Sequence, residues 1–233
     1  MKIIGHRGAA GHEPENTLIS FKKALELNVD MIELDVYVLK TGELVVMHDN
    51  KVDRTTNGSG YVIDYTFEEL RKLDAGHGEQ VPLLSEVLDL VDKSVPVNIE
   101  LKGIGTAKNT AALIATYIQE KGWTEDLFIV SSFNHIELME FVNLMPAIHT
   151  GALSEGILLG YSAFAEQLGS YSTNLSAEFI TPEFVLDAHN RHLEVFVYTI
   201  NDESEIERMQ TLGVDGIFTN FPDRARAQLS SFV

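Results

Sequence analysis

The chain predicts an α/β fold, a (β/α)8 TIM barrel with a small insertion after the second strand, on three observations. Runs rich in Val, Ile and Leu alternate about eight times with amphipathic segments. The length of 233 residues suits one barrel of this kind. The rival, an open doubly wound sheet, would be favoured by a Gly-rich dinucleotide or phosphate-loop fingerprint after a strand, and none is present. No linker-like or low-complexity stretch divides the chain, so a single domain over residues 1–233 is expected.

The elements follow from local pattern. Residues 2–6 form the first apolar run. Residues 16–27 read as a helix, with Leu18, Phe21, Ala24 and Leu25 near helical period. Residues 31–37 alternate as a strand, and 43–48 form a hairpin-like second run after Thr41-Gly42. The excursion over about residues 41–78 is turn-rich (Asn57-Gly58-Ser59-Gly60) and holds a short helix at 67–73. Its length suggests an insertion at the barrel mouth. A helix at 83–91 follows, then strand 95–101, helix 107–121, strand 127–131 and helix 136–144. Residues 147–153 and 171–175 are weaker strand candidates, separated by an apolar helix at 158–168. Pro182 suits the first turn of a helix reaching residue 191. Strand 194–200, helix 203–212, strand 214–219 and helix 222–229 close the series.

Composition narrows the function. The apolar fraction of 45% and charged fraction of 22% are ordinary for a globular protein. Cysteine is absent, which removes disulfides, thiolate catalysis and thiolate metal sites. The formal net charge of −18 opposes nucleic acid and anionic membranes as partners. No run is long enough for stable membrane insertion, no apolar signal region follows Met1, and a cytoplasmic location is the expectation. Nothing in the sequence specifies an oligomeric state.

In such a barrel, function collects at the C-terminal ends of the strands. The strand 31–37 carries Glu33 and Asp35 two positions apart, hence on one face and roughly 7 Å apart along the strand. That alternation alone also suits an exposed edge strand. The other strand ends add to it: His6-Arg7 after the first strand, Glu15 and Asn16 in the following loop, His48-Asp49 after the second run, and Glu100 with Lys102 on the next strand. Three carboxylates (Glu33, Asp35, Glu100) form an all-oxygen set suited to one divalent cation, Mg2+ or Ca2+. Arg7 can grip phosphate through its fork and Lys102 supplies a point charge. His6 and His48 can divide acid and base work. Metal-assisted phosphoryl transfer fits this set; an enolising isomerase is the enzymatic rival.

The ordered motifs His6-Arg7-Gly8, Pro14-Glu15-Asn16-Thr17, Glu33-Leu34-Asp35-Val36, His48-Asp49, Asp53-Arg54-Thr55-Thr56, Glu100-Leu101-Lys102 and the ending Gly213-Val214-Asp215-Gly216-Ile217-Phe218-Thr219-Asn220 resemble the glycerophosphodiester phosphodiesterase family over nearly the whole chain. The resemblance implies divalent-metal-dependent hydrolysis of small glycerophosphodiesters to glycerol 3-phosphate and an alcohol. It implies Glu33, Asp35 and Glu100 as metal ligands, His6 and His48 as the acid/base pair, and Arg7 and Lys102 near phosphate. The chain departs from the family pattern at Leu39-Lys40-Thr41-Gly42-Glu43, at Val81-Pro82-Leu83-Leu84, and at Tyr198, where Trp is frequent. Phe133 and Tyr198 are candidates for the wall of the substrate pocket, Phe133 equally for core packing. Asn16 reads first as the cap of the helix behind it, or leans towards the acids; Asn220 lies where barrels bind phosphate or caps the last helix. The other six histidines read as solvated or locally bonded. The same site would also suit lysophospholipids or other phosphodiesters, or a binding module without turnover, although binding alone needs no pair of histidines.

Overall fold

The computed structural model describes residues 1–230. Its elements in chain order are β1 (Lys2–Gly5), α1 (Leu18–Glu26), β2 (Met31–Val38), β3 (Leu44–Val46), α2 (Phe67–Leu70), α3 (Leu84–Val91), β4 (Val97–Leu101), α4 (Thr106–Lys121), β5 (Phe128–Ser132), α5 (His135–Leu144), β6 (His149–Ser154), α6 (Ala163–Gln167), β7 (Ser172–Ser176), α7 (Pro182–Asn190), β8 (Glu194–Tyr198), α8 (Glu203–Leu212), β9 (Gly216–Thr219) and α9 (Pro222–Ser230). Eight of the strands are parallel neighbours, and β1 pairs with both β2 and β9, which closes the ring. The fold is a TIM barrel, and closure excludes the open-sheet rival. Among the described residues no helix is long and apolar enough to cross a membrane.

The period-two alternation sorts the strand residues into two layers. Ile3, Ile32, Leu34, Ile99, Val130, Val195 and Ile217 are buried in the cluster that includes helix residues Phe21, Leu88, Phe141 and Phe184. On the alternate face Ile4, Met31, Ile129, Phe196 and Phe218 form a separate apolar cluster inside the ring. This inner plug leaves the later inward positions, Glu33, Asp35 and Glu100, to polar groups at the C-terminal mouth.

Between β2 and α3 the chain makes the long excursion that the turn-rich sequence predicts. β3 returns antiparallel on the outer end of β2, with Val36 opposite Val46. Residues beyond it bury Val52, Val62, Leu70, Ala75 and Val81 in a cluster with Tyr37, Val45 and Met47. The excursion is therefore packed onto the barrel by its own apolar contacts, and His48, Asp49 and Arg54 ride on it.

Two expectations are corrected. The helix expected over 158–168 is only α6; Leu159 is fully exposed and Ile157 and Leu158 are about half exposed, so that apolar run belongs to the mouth loop after β6. The second run is shorter than 43–48: β3 covers Leu44–Val46, and the Met47 N–H still donates in register to Asp35 O at 3.0 Å before the chain turns away at His48. The weak candidates at 147–153 and 171–175 overlap full barrel members, β6 and β7; their small and polar residues, Thr150, Gly151, Ser172 and Asn174, are buried and blunt the apolar signal.

Candidate active site

The acidic centre follows from register. β2 and β4 pair in parallel with Asp35 opposite Glu100 and Glu33 opposite Asn98. Equal register puts Asp35 and Glu100 side by side, and Glu33 lies one same-face step below Asp35. One oxygen from each carboxylate lies within 4.8 Å of the others, and all three residues are buried. Such proximity in a site shielded from water is unfavourable for ionised carboxylates. Burial, then the charges of Asp35 and Glu100, push the Glu33 carboxyl well above its usual range. Burial, then Asp35, push Glu100 up to about 7.

The protein supplies partial compensation. The Arg7 backbone N–H donates to Glu33 Oε2 at 2.8 Å, and its guanidinium Nε lies 3.5 Å from Asp35 Oδ2. Lys102 Nζ donates to Glu100 Oε1 at 2.8 Å and sits 3.8 Å from Asp35 Oδ1. Asp35 Oδ1 is buried without a hydrogen-bond donor. An orphaned carboxylate oxygen, in a set of hard oxygen donors whose charges repel, fits a divalent cation.

Arg7 takes up φ of +53°, next to Gly8 at +87°. A Cβ at Gly8 would meet the Ser20 backbone at 2.7 Å, so this turn needs glycine to press against α1. The turn delivers the Arg7 N–H to Glu33. Asn16 also has positive φ, +58°, and its Nδ2 donates to Asp35 Oδ2 at 2.9 Å. Thr17, not Asn16, caps α1 by accepting from the Ser20 N–H. The capping expectation for Asn16 is thus overturned, because a left-handed backbone turns its amide inward to the acids.

The two histidines come from separate loops, His6 after β1 and His48 after β3. His6 Nδ1 lies 2.7 Å from Asn220 Oδ1. Asn220 Oδ1 can only accept, so Nδ1 carries the proton and Nε2 is left as an acceptor. Burial, then the Arg7 charge, bring His6 down to about 4, so the ring is neutral near neutral pH. His48 Nδ1 pairs with Asp49 Oδ1 at 2.6 Å, and its Nε2 lies 3.2 Å from Lys102 Nζ.

Behind these residues lies a clamp that local sequence pattern did not single out. Arg54 donates twice to Asp49, at 2.7 and 2.9 Å, and twice to Glu15, at 2.7 and 2.8 Å. Glu15 in turn accepts from Arg7 Nη1 at 2.8 Å. Burial would raise Glu15, but hydrogen bonds from Arg54 and the charge of Arg7 hold it down at about 2. The Arg54 fork likewise holds Asp49 far below the usual range. Asn220 and Arg54 were each within a recognised motif, yet their partners are 214, 39 and 5 positions away. Only the fold makes the longer pairings visible.

A cavity of about 390 Å3 joins most of these groups, within the usual size range of small-molecule sites. His6, Arg7, Glu33, His48, Glu100, Lys102, Phe133 and Tyr198 line it; Glu15, Asn16, Asp35 and Asp49 stand behind the lining. Phe133 is not core: it is 42% exposed and meets Tyr198 edge-to-face, with ring centroids 5.8 Å apart. Lys102 Nζ lies 5.6 Å from the Phe133 ring centroid. Glu155, which the sequence did not flag, lines the same cavity. The remaining histidines sit elsewhere, as His12 on Asp223, His189 on Asp215 and His135 on the Leu153 carbonyl.

Comparison with known proteins agrees with this geometry. The Glycerophosphoryl diester phosphodiesterase family matches residues 6–224. A glycerophosphodiester phosphodiesterase of Bacillus altitudinis is 42% identical over 96% of this chain and 96% of its own length. One from Caldanaerobacter subterraneus subsp. tengcongensis is 40% identical over 95% of this chain and 94% of its own. An Oleispira antarctica phosphodiesterase, solved in complex with the product sn-glycerol-3-phosphate, superposes with a TM-score of 0.91 at 29% identity, covering 99% of this chain and 97% of that one. On the extent of that match and the identity of those relatives, the chain belongs to the glycerophosphoryl diester phosphodiesterase family.

Proposed function

We propose that this enzyme hydrolyses glycerophosphodiesters to glycerol 3-phosphate and an alcohol, with one divalent cation held by Glu33, Asp35 and Glu100. The single observation that carries the reading is the buried acid triad, two of whose members, Glu33 and Glu100, line one cavity with two imidazoles from separate loops. A bound cation would offset the triad's charge and draw electron density from a phosphate oxygen. Arg7 and Lys102 add positive charge at the same wall, which lets a protein of net charge −18 accept an anionic diester. His6, neutral through burial and with Nε2 as acceptor, takes the proton from the attacking hydroxyl. His48 is fixed on Asp49 through Nδ1 while its Nε2 accepts from Lys102; once protonated at Nε2 in place of that contact, it would hand this proton to the leaving alcohol.

A second reading, a lysophospholipid as the diester, has one observation in its favour. Ile104, Ile157, Leu158 and Leu159 are exposed on the loops after β4 and β6, at the C-terminal ends of the strands that carry the cavity. The experiment is release of glycerol 3-phosphate from glycerophosphocholine beside release from a lysophospholipid, with wild type and His48→Ala. Loss of turnover in His48→Ala with affinity retained supports the assignment of His48. A parent protein that binds either diester but turns over neither contradicts hydrolysis.

A further inference from the structure

We propose that Glu137, a buried carboxylate on α5 that does not line the cavity, is a positioning residue for Lys102. It fixes the turn after β4 from which the Lys102 ammonium reaches the phosphate position. The proposal rests on the hydrolase reading above and adds to it a side chain that touches no reacting atom.

Lys102 has three partners to satisfy. Its Nζ donates to Glu100 Oε1 at 2.8 Å, lies 3.2 Å from His48 Nε2 and sits 3.8 Å from Asp35 Oδ1. A long, rotamer-rich side chain meets three partners at once only if the backbone it springs from is held. That backbone is the turn over residues 101–107, between the end of β4 and the first turn of α4.

The segment after β5 holds this turn at both ends. At its start the Ser132 hydroxyl donates to the Leu101 carbonyl at 2.8 Å and accepts from the Asn134 N–H at 2.9 Å. At its far end Glu137 Oε1 accepts from the Gly105 N–H at 2.7 Å, and Oε2 from the Ala107 N–H at 3.2 Å. Asn134 caps α5 by accepting from the N–H groups of Ile136 and Glu137, which sets the carboxylate's own helix in place. Between the two anchors the Lys102 N–H donates to the Val36 carbonyl at 3.1 Å, and Thr106 Oγ1 donates to the Gly103 carbonyl at 2.7 Å.

The outer anchor has to come from another element. Gly105 stands at the capping position of α4 with φ of +81° and has no side chain to accept from the first N–H groups of the helix. A carboxylate brought from α5 takes that part, favoured by the helix dipole and by two charge-assisted hydrogen bonds. Glu137 is 5% exposed, and both its oxygens are engaged by this one turn. A buried charge is a costly anchor for a loop. This loop carries one of the two cations that face the acid triad, the other being Arg7.

The test is a double-mutant cycle on the metal-loaded enzyme, read as kcat and KM for glycerophosphocholine in wild type, Glu137→Gln, Lys102→Met and the pair. Gln keeps the shape but turns an amide donor toward a backbone N–H, so one of the two bonds is lost. Alone, Glu137→Gln should lower kcat/KM about tenfold; on the Lys102→Met background it should change kcat/KM less than about twofold. A role in the fold alone would cost the same factor on both backgrounds. That result, or full activity in Glu137→Gln, overturns the positioning of Lys102 while leaving hydrolysis intact. Circular dichroism checks folding; if Gln unfolds the chain, Glu137→Asp, too short to span both N–H groups, takes its place, and failure of both to fold overturns the proposal. If wild type turns over nothing, calorimetric affinities for the same diester complete the cycle. Coupling between the two positions then supports the proposal even as the hydrolase reading fails; additive losses, or no binding, overturn both.

Discussion

His6 Nδ1 and Asn220 Oδ1 lie 2.7 Å apart, joining the first barrel strand's end to the loop after the last. The contact crosses the seam where β1 closes on β9, so the geometry of ring closure sets the direction of the imidazole. Asn220 fixes the tautomer that leaves Nε2 free to accept. Replacing Asn220 with Ala should lower kcat by roughly 10–100-fold, part of the range typical of positioned proton transfer, with KM little changed. Steady-state kinetics on glycerophosphocholine checks this; an unaltered kcat would remove Asn220 from the account.

Arg54 ties Asp49 to Glu15, and through them His48 to Arg7, with four charge-assisted hydrogen bonds. The planar fork makes pairs that an ammonium cannot copy. Arg54→Ala and Arg54→Lys should therefore both lose kcat, Ala by about tenfold or more and Lys nearly as much. A Lys variant with full activity would show that only charge, not geometry, is used there.

On the two groups Glu100 and His6, the metal-free protein should be most stable between about pH 4.5 and 6.5, where their opposite contributions offset each other. Glu100 is raised from 4.5 to about 7 in the folded chain, so the folded state holds that proton more tightly than the unfolded state. That contribution is complete below about 4.5 and is lost as pH rises through about 7. His6 has the opposite sign below 6.5, because it is lowered to about 4 and the unfolded chain takes up a proton that the buried ring does not. Melting temperature measured in chelator should fall by a few degrees between pH 6.5 and 8, and a divalent cation should restore it. A metal-free melting temperature that is flat or rising over that interval contradicts the charge frustration proposed for the triad.

Glu33→Gln should raise the melting temperature of the metal-free protein, since it removes one of three crowded charges while an amide oxygen can still accept from the Arg7 N–H. The same variant should lose the rise that metal gives to wild type, and its turnover. A metal-induced rise that persists in Glu33→Gln would remove Glu33 from the ligand set.

Much of this was legible from local pattern. The acids on β2 and β4 declare themselves through alternation with Ile32, Leu34, Ile99 and Leu101, because inward and outward faces of a barrel strand have opposite needs. Residues whose roles depend on backbone turns or distant partners were harder to read. Asn16 carries the sequence signature of a cap, yet its left-handed φ hands the cap to Thr17 and sends its amide to Asp35. Leu158 and Leu159 look like the core of a helix but decorate an exposed loop, since periodicity alone cannot say which side of the chain meets water. Glu155 has no local signal at all; only the cavity it borders gives it meaning.

The central claim is that a divalent cation on Glu33, Asp35 and Glu100 is needed for cleavage. Release of glycerol 3-phosphate from glycerophosphocholine should be followed before chelation, after chelation, and after adding back Mg2+ or Ca2+. Activity, its loss by at least a hundredfold, and its recovery are expected in turn, with no recovery in an Asp35→Ala variant that is otherwise folded by circular dichroism. Undiminished turnover in the fully chelated enzyme would contradict it.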